Sequence, residues 1–311
     1  MPRNNNNDRI NPLQELPFFK LTDFQLKWEN ETNRDQVIEK MYNNGFIEFM
    51  INRDDYNDSK AFIENNSFYD SEDVSRKWGS ENQTKIIHFN IRMLSKNRGK
   101  LMAFLNNMET KPDIIMLSEI GREGGRYLKH TFPDYNYEYD TTQNNSYGGV
   151  AILADKYKYN MIVKEDNYMI KTCKCAKCNF ENKWVEICSD DSKFILGCIY
   201  RHPNGNINHF REALCKTLEK IPDTTQCIIG GDLNINLIHI QEQEVSDYVT
   251  DLMAKGFFPK IYLPTRITDS TCTLIDHLFV KLAKKDDKTT LISGNIFSDI
   301  TDHLPIFFSI D

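Results

Sequence analysis

The sequence predicts a layered α/β fold in which two sheets pack face to face. Three observations predict it: short runs rich in Ile, Val, Leu and Phe recur after Lys85, amphipathic stretches at helical spacing lie between some of them, and no fixed period repeats along the 311 residues. The runs are 86–90, 113–119, 149–154, 184–188, 194–200, 227–232, 273–280 and 304–310. Each has the length of a strand buried on at least one face and falls short of a buried helix. Between them, Leu101, Phe104, Leu105 and Met108 predict a helix over 100–108, and Phe210, Leu214 and Leu218 predict one over 209–220. A third helix is predicted over 245–255, stopped by Gly256. So many short strands fit two packed sheets.

Residues 1–84 read differently. They are rich in Asn, Asp, Glu and Lys, with apolar clusters confined to 16–19 and 46–51. Ten Lys and Arg stand against sixteen Asp and Glu, a net of −6 out of −7 for the chain. This predicts a polar, acidic N-terminal extension, largely flexible with a transient helix near 34–41, followed by one folded domain over 85–311. The acidic balance argues against a broad basic nucleic-acid surface, yet a near-neutral remainder suits a DNA enzyme whose carboxylates hold a divalent cation. Residues 1–8 carry no apolar signal region, and no run approaches the roughly 18 apolar residues of a membrane-spanning helix. An intracellular chain without membrane contact is therefore expected, with its eight cysteines as thiols. Cys173, Cys175 and Cys178, with Cys188 as a fourth thiolate, lack the paired spacing of zinc sites and lie among lysines, so they read as a solvated hairpin tip. Cys198, Cys215, Cys227 and Cys272 read as core thiols.

The chemistry lies where the apolar runs end. The first five that matter close on Asn90, Glu119, Tyr200, Asp232 with Asn234, and Asp276, and Asp302-His303 directly precedes the last run. Brought to one edge, these groups place several carboxylates together, and like charges at contact distance force protonation or a counter-cation. The oxygen-rich set Asn90, Glu119 and Asp302 suits a hard ion such as Mg²⁺ or Mn²⁺, which leaves coordination positions for a substrate phosphate. That combination points to phosphoryl transfer to water. His88, His239 and His277, in or beside apolar runs, read as structural, and the lysines at 281, 284, 285 and 288 read as a solvated loop. Arg122 and Arg126, close after Glu119, are candidates for phosphate-backbone contact.

The segments His88-Phe89-Asn90-Ile91-Arg92, Leu117-Ser118-Glu119, Tyr147-Gly148-Gly149-Val150-Ala151-Ile152, Tyr200-Arg201-His202-Pro203-Asn204, Gly231-Asp232-Leu233-Asn234, Leu274-Ile275-Asp276 and Thr301-Asp302-His303-Leu304-Pro305-Ile306 resemble, in order and spacing, the motifs of the endonuclease/exonuclease/phosphatase superfamily. Tyr200 to Asn204, Pro264-Thr265-Arg266 and Thr273 to Asp276 most resemble the apurinic-like endonuclease domains of non-LTR retrotransposons. The resemblance spans 85–311. It implies a four-layered α/β sandwich with two facing mixed sheets flanked by helices, and a site at one sheet edge. It further implies Glu119 as the main metal ligand with Asn90 beside it and Asp302 opposite, and Asp232 as the base. Asn234 would position water or phosphate, Tyr200 and Asn204 would contact the scissile phosphate with Thr265 joining through its hydroxyl, and His303, oriented by Asp276, would stabilise developing charge. The implied activity is a Mg²⁺- or Mn²⁺-dependent DNA endonuclease that leaves a 3′-hydroxyl for reverse transcription. Its implied partners are target DNA and, further, an element RNA and a reverse transcriptase outside this chain. A monomer is expected, in the nucleus where the target is chromosomal DNA. Two rivals stay open: a phosphoesterase of the same fold acting on RNA or inositol phosphates, and a catalytically silent interaction module.

Overall fold

A computed structural model describes residues 68–78, 83–141, 147–164, 180–190, 192–268, 271–283 and 291–310, with isolated positions between 39 and 49. Two mixed sheets stack face to face. The first has seven strands in the order β1 (Phe68–Tyr69), β14 (Leu291–Ile296), β15 (Ile306–Ile310), β2 (Thr84–Asn90), β3 (Ile114–Ser118), β5 (Val150–Asp155) and β4 (Tyr135–Asp140). The second has six, in the order β10 (Phe258–Pro259), β13 (Asp276–Lys281), β9 (Cys227–Asp232), β8 (Lys193–Arg201), β7 (Phe180–Cys188) and β6 (Asn160–Val163). A two-stranded ribbon, β11 (Arg266–Ile267) with β12 (Cys272–Thr273), lies apart from both. Helices α1 (Ser71–Lys77), α2 (Leu94–Asn107) and α3 (Gly125–Thr131) contribute to the core on the outer face of the first sheet, and α4 (Ile207–Leu218) and α5 (Gln243–Ala254) pack with the second. The four-layered sandwich expected from the sequence is thus observed.

Strand periodicity sorts the side chains. On β2, Ile87 and Phe89 join the core under α1–α3, whereas Ile86 joins the core between the sheets. The same division separates Ile115 and Leu117 from Ile114 and Met116 on β3, and Ala151 and Leu153 from Val150, Ile152 and Ala154 on β5. Successive residues of a strand point to opposite faces, so Asn90 and Ser118, at the strand ends, face the second sheet. Sequence-local signals set the helices. Asn206 caps α4 by accepting from the His209 N–H (2.9 Å), and α5 closes where Gly256 takes φ +82° and Phe257 N–H reaches back to the Leu252 carbonyl.

Several boundaries differ from expectation, each for a local reason. The run 273–280 divides into β12 and β13, because the Leu274 N–H bonds to Asn236 Oδ1 and the Ile275 N–H to Thr265 Oγ1 instead of a neighbouring strand. The last strand starts at Ile306 and not at Leu304, since Pro305 has no N–H and the Leu304 N–H is taken by the Thr265 carbonyl. Lys281, expected in a solvated loop, ends β13 buried, its ammonium donating to the Ile221 carbonyl and pairing with Asp223. Cys173, Cys175, Cys178, and the lysines at 284, 285 and 288, lie outside the described residues. Cys188 stands at the end of β7, Cys198 and Cys227 are buried, and Cys215 and Cys272 are half-buried, all four of the latter as free thiols. Among the described residues no helix is long and apolar enough to cross a membrane.

The boundary expected at residue 84 is corrected. β1 pairs in parallel with β14 at Phe68 to Asn295 and Tyr69 to Ile296, extending the sheet to its edge. Asp70 caps α1 through the Asp73 N–H (2.7 Å), and Val74 and Trp78 are buried against the sheet, Trp78 meeting Phe307 edge-on at 5.9 Å. Met41 and Phe46 are also buried in core. The polar composition concealed a few apolar anchors that complete the core from a segment outside the dense strand pattern. If these anchors contribute as their burial implies, Trp78→Ala lowers stability by about 3–5 kcal/mol, read as a shift of the urea unfolding midpoint. An unchanged midpoint would mean that the segment adds nothing to the folded unit.

Candidate active site

The site lies where five inward-facing strand ends meet. Asn90 donates its amide to two carboxylates at once, Glu119 Oε1 at 2.9 Å and Asp232 Oδ2 at 2.8 Å, and so ties the two sheets together. Its own Oδ1 accepts the Arg92 N–H at 3.1 Å, which sets the orientation of the amide. Asp232 ends β9 directly opposite Asp276, the first residue of β13. The approach to Asp232 requires glycine at 231: φ is +142°, and a Cβ there would lie 1.8 Å from the Ile199 carbonyl oxygen. The Asn234 N–H closes on Asp232 Oδ1 at 3.1 Å, while its side-chain amide donates to the Arg201 carbonyl at 2.7 Å.

His303 arrives from the loop before β15 and shares a 2.8 Å hydrogen bond between Nδ1 and Asp276 Oδ2. Asp276 is itself held by Thr265, whose Oγ1 accepts the Asp276 and Ile275 N–H groups at 2.9 and 3.2 Å. Thr265 is fully buried, so the structure corrects its expected substrate contact: its hydroxyl positions Asp276. His88, expected to be only structural, forms the wall behind the pair. Its Nε2 meets Ser118 Oγ at 2.9 Å and its Nδ1 lies 3.8 Å from Asp276 Oδ1. Its signal was its place two residues before Asn90 on the same strand face. His277 instead faces Ile235 and Leu274 carbonyls, and His239 pairs with Glu242, both outside the cluster.

Burial and charge set the protonation states. Burial, then the charge of Asp276, raises Asp232 to about 7. Burial alone would lower His303, but Asp276, with Asp232 and Asp302, outweighs it and raises the imidazole to about 9. Burial would likewise raise Asp276, and the His303 and His88 rings hold it below its ordinary value. His88 is driven by burial down to about 4 and is neutral. Burial and the nearby charges of Glu119 and Asp232 push the Tyr200 phenol well above its usual value, so it is a neutral donor.

The remaining expected residues divide. Asn204 is exposed on the turn 202–205, anchored by Arg201, whose buried guanidinium donates to the Leu233, Gly205 and Asn234 carbonyls at 2.6–2.7 Å. Arg122 is exposed, and Arg126, on α3, is paired at the surface with Glu123. Asp302 departs most from expectation. Its Oδ1 lies 2.9 Å from an Arg92 guanidinium nitrogen without a hydrogen bond, and its Oδ2 accepts from Arg266 Nε at 2.8 Å, so the structure sets it among arginines and not against Asn90 and Glu119. Glu181 and His202 were missed: the fully buried Glu181 carboxylate forks onto His202 Nε2 at 3.0 Å through both oxygens, and the His202 ring stands 4.7 Å from that of Tyr200.

The donor chemistry fits a hard divalent cation beside Glu119. Glu119 and Asp232 converge on a single amide nitrogen, and their charge exceeds what one N–H dipole balances. Asp232, Asp276 and His303 also bring donor atoms within 4.8 Å of one another. His303 Nδ1 is already committed to Asp276 Oδ2 at 2.8 Å, so Glu119 with Asn90 is the set that would hold a cation.

No protein-family model matches the chain, and no curated protein matches it. Solved structures do. D. rerio TDP2 complexed with single-strand DNA product is similar at 15% identity and TM-score 0.54, over 74% of this chain and 100% of that one. The endonuclease domain of TRAS1, a telomere-specific non-LTR retrotransposon, is similar at 16% identity and TM-score 0.53, over 73% and 98%. An endonuclease/exonuclease/phosphatase family protein from Bacteroides thetaiotaomicron is similar at 14% identity and TM-score 0.53, over 74% and 97%. Two facing mixed sheets, flanking helices and a polar cluster at one sheet edge thus give this chain the endonuclease/exonuclease/phosphatase fold.

Proposed function

We propose that the chain is a divalent-metal-dependent phosphodiesterase that nicks DNA and leaves a 3′-hydroxyl, as in target-primed reverse transcription. The observation that carries this reading is the Asp276–His303 pair set opposite Asp232, with Glu119 and Asn90 on the other flank. Mg²⁺ or Mn²⁺ held by Glu119 and Asn90 would supply Lewis acidity toward the phosphoryl and leaving oxygens. The chain's own residues do the rest. Asp232, poised at about 7, takes a proton from water positioned by Asn234, and the water oxygen attacks phosphorus. The P–O3′ bond breaks, giving a 5′-phosphate and, once protonated from solvent, a 3′-hydroxyl. His303, an imidazolium at neutral pH with Nδ1 committed to Asp276, has Nε2–H as its remaining donor for a non-bridging oxygen where charge develops. Tyr200 and Asn204 contact the same phosphate, and Arg122 and Arg126 meet the strand further out. The DNA-acting neighbours of the same fold support a nucleic-acid substrate; an element RNA and a separate reverse transcriptase as further partners, and the nucleus as the place of action, extend this reading.

Purified protein with Mg²⁺ is expected to relax supercoiled plasmid, and EDTA to stop it. Glu119→Gln, Asp232→Asn and His303→Ala should each reduce nicking by roughly 10²-fold or more. Nicking that persists equally in all three overturns the site, and turnover confined to poly(A) or inositol phosphates moves the substrate.

The Asp276–His303 pair has its own measurement. In EDTA, the His303 imidazole should titrate near 9 by NMR, and Asp276→Asn should lower that midpoint by about 1–3 pH units. Because the folded value lies above the ordinary 6.5, the contribution of His303 titration to stability is full below about pH 6.5 and is lost as pH rises through 9, while that of Asp276, held below its ordinary value, is lost only in acid.

A further inference from the structure

Arg92, Asp302 and Arg266 form a group at the rim that the reaction described above does not use. Arg92 leaves β2 in the left-handed region (φ 41°), followed by Met93 (φ 76°), a conformation that non-glycine residues adopt at a cost. The loop is pinned on both sides: the Arg92 N–H bonds to Asn90 Oδ1, and the Met93 N–H to the Glu119 carbonyl at 2.7 Å. On the far side, Arg266 bridges the backbone of His303, and Thr301 Oγ1 donates to the Asn90 carbonyl at 3.0 Å. Both arginines are therefore fixed to residues of the reaction centre from opposite elements, and they meet on one carboxylate.

We propose that Arg92 and Arg266, organised by Asp302, form a subsite for the backbone phosphate adjacent to the scissile one; the proposal rests on the phosphodiesterase reading. Arg266 spends its Nε–H on Asp302 Oδ2, whereas Arg92 pairs with Asp302 Oδ1 by charge at 2.9 Å without a hydrogen bond, and the other guanidinium N–H groups have no protein partner among the described residues. The side chains are 47% and 32% exposed, so both guanidinium groups are partly open to solvent. Two arginines against one aspartate leave a net positive charge beside a cluster otherwise dominated by carboxylates. Stability alone is a poor account of the group, because partly exposed ion pairs contribute little while the arginine and the methionine after it both hold strained positive φ. Forked donors at fixed positions suit a phosphate oxygen pair, and a nucleic-acid strand presents successive phosphates at regular spacing. Asp302 restrains the two cations without neutralising both.

The test is binding of a short fluorescein-labelled DNA duplex by anisotropy, in EDTA so that nothing is cleaved, over a KCl series, for wild type, Arg92→Gln, Arg266→Gln and the double variant. Thermal melting checks that each variant folds, and wild-type plasmid nicking in Mg²⁺ runs beside it. Each substitution should flatten the slope of log affinity against log salt by about 0.9, and the double variant by about 1.8. Wild type that nicks and binds, with slopes unchanged in the variants, overturns the subsite and leaves the phosphodiesterase reading standing. If wild type neither nicks nor binds, that reading has failed, and inorganic phosphate decides the subsite. Movement of the Arg92 and Arg266 Nε–Hε resonances on adding phosphate retains an anion site there, and unmoved resonances remove it.

Discussion

Asp232 and Asp276 face each other across two neighbouring strands, both fully buried, and most of the polar architecture answers that one electrostatic problem. Two carboxylates at this distance in a dry interior cannot both stay charged without compensation. His303 supplies it for Asp276, and the Thr265 hydroxyl oxygen fixes the backbone from which Asp276 projects. Asn90 and the Asn234 N–H supply weaker compensation for Asp232, which accordingly stays near neutral pH while Asp276 is driven low. Similar side chains a few ångströms apart thus acquire opposite roles from their neighbours, one available to take a proton and the other to hold an imidazolium.

The backbone accommodates this convergence by leaving the strands in unusual conformations. Glu119, Arg92, Met93 and Asn234 all take positive φ, and each follows within three residues of a strand's end. A strand delivers a side chain to one face, but the next residue must turn sharply if the chain is to leave without covering the site. Strain of order 1–3 kcal/mol per residue persists only where surrounding packing over-determines it. Here the ladders of β2 with β3 and of β8 with β9 run up to or close to these exits, and the apolar layers beneath the site are buried throughout.

Much of this was legible because strand periodicity and chemistry coincide. The runs ending in Asn90, Tyr200, Asp232 and Asp276 carry inward parity at their last or first residue, and an apolar run closing on a polar group is visible without coordinates. What was hidden has physical causes. β4 alternates tyrosine with polar residues at a sheet edge, and β14 is interrupted by Ser293, Gly294 and Asn295, so neither shows an apolar run. Phe68–Tyr69 and Trp78 are too few to lift an acidic segment's composition, yet they cover a sheet edge. The partner of Asp302 was not legible either, because Arg92 and Arg266 are 174 residues apart and each looks unremarkable in its own segment.

The two buried acid–imidazole pairs show why a residue type at a strand end does not by itself define a role. Asp276 meets His303 through one oxygen on Nδ1, which leaves Nε2 as the ring's remaining nitrogen. Glu181 instead forks onto His202 with both oxygens on Nε2, and Gly148 (φ +113°) passes close to both groups, where a Cβ would lie 3.1–3.2 Å from them. That second imidazole spends its donor on its own carboxylate and presents its ring to Tyr200, which sits opposite Glu181 in the β7–β8 ladder. One imidazole therefore keeps its Nε2 uncommitted, and the other packs its ring against a neutral phenol. The difference follows from which ring nitrogen each histidine offers to its acid.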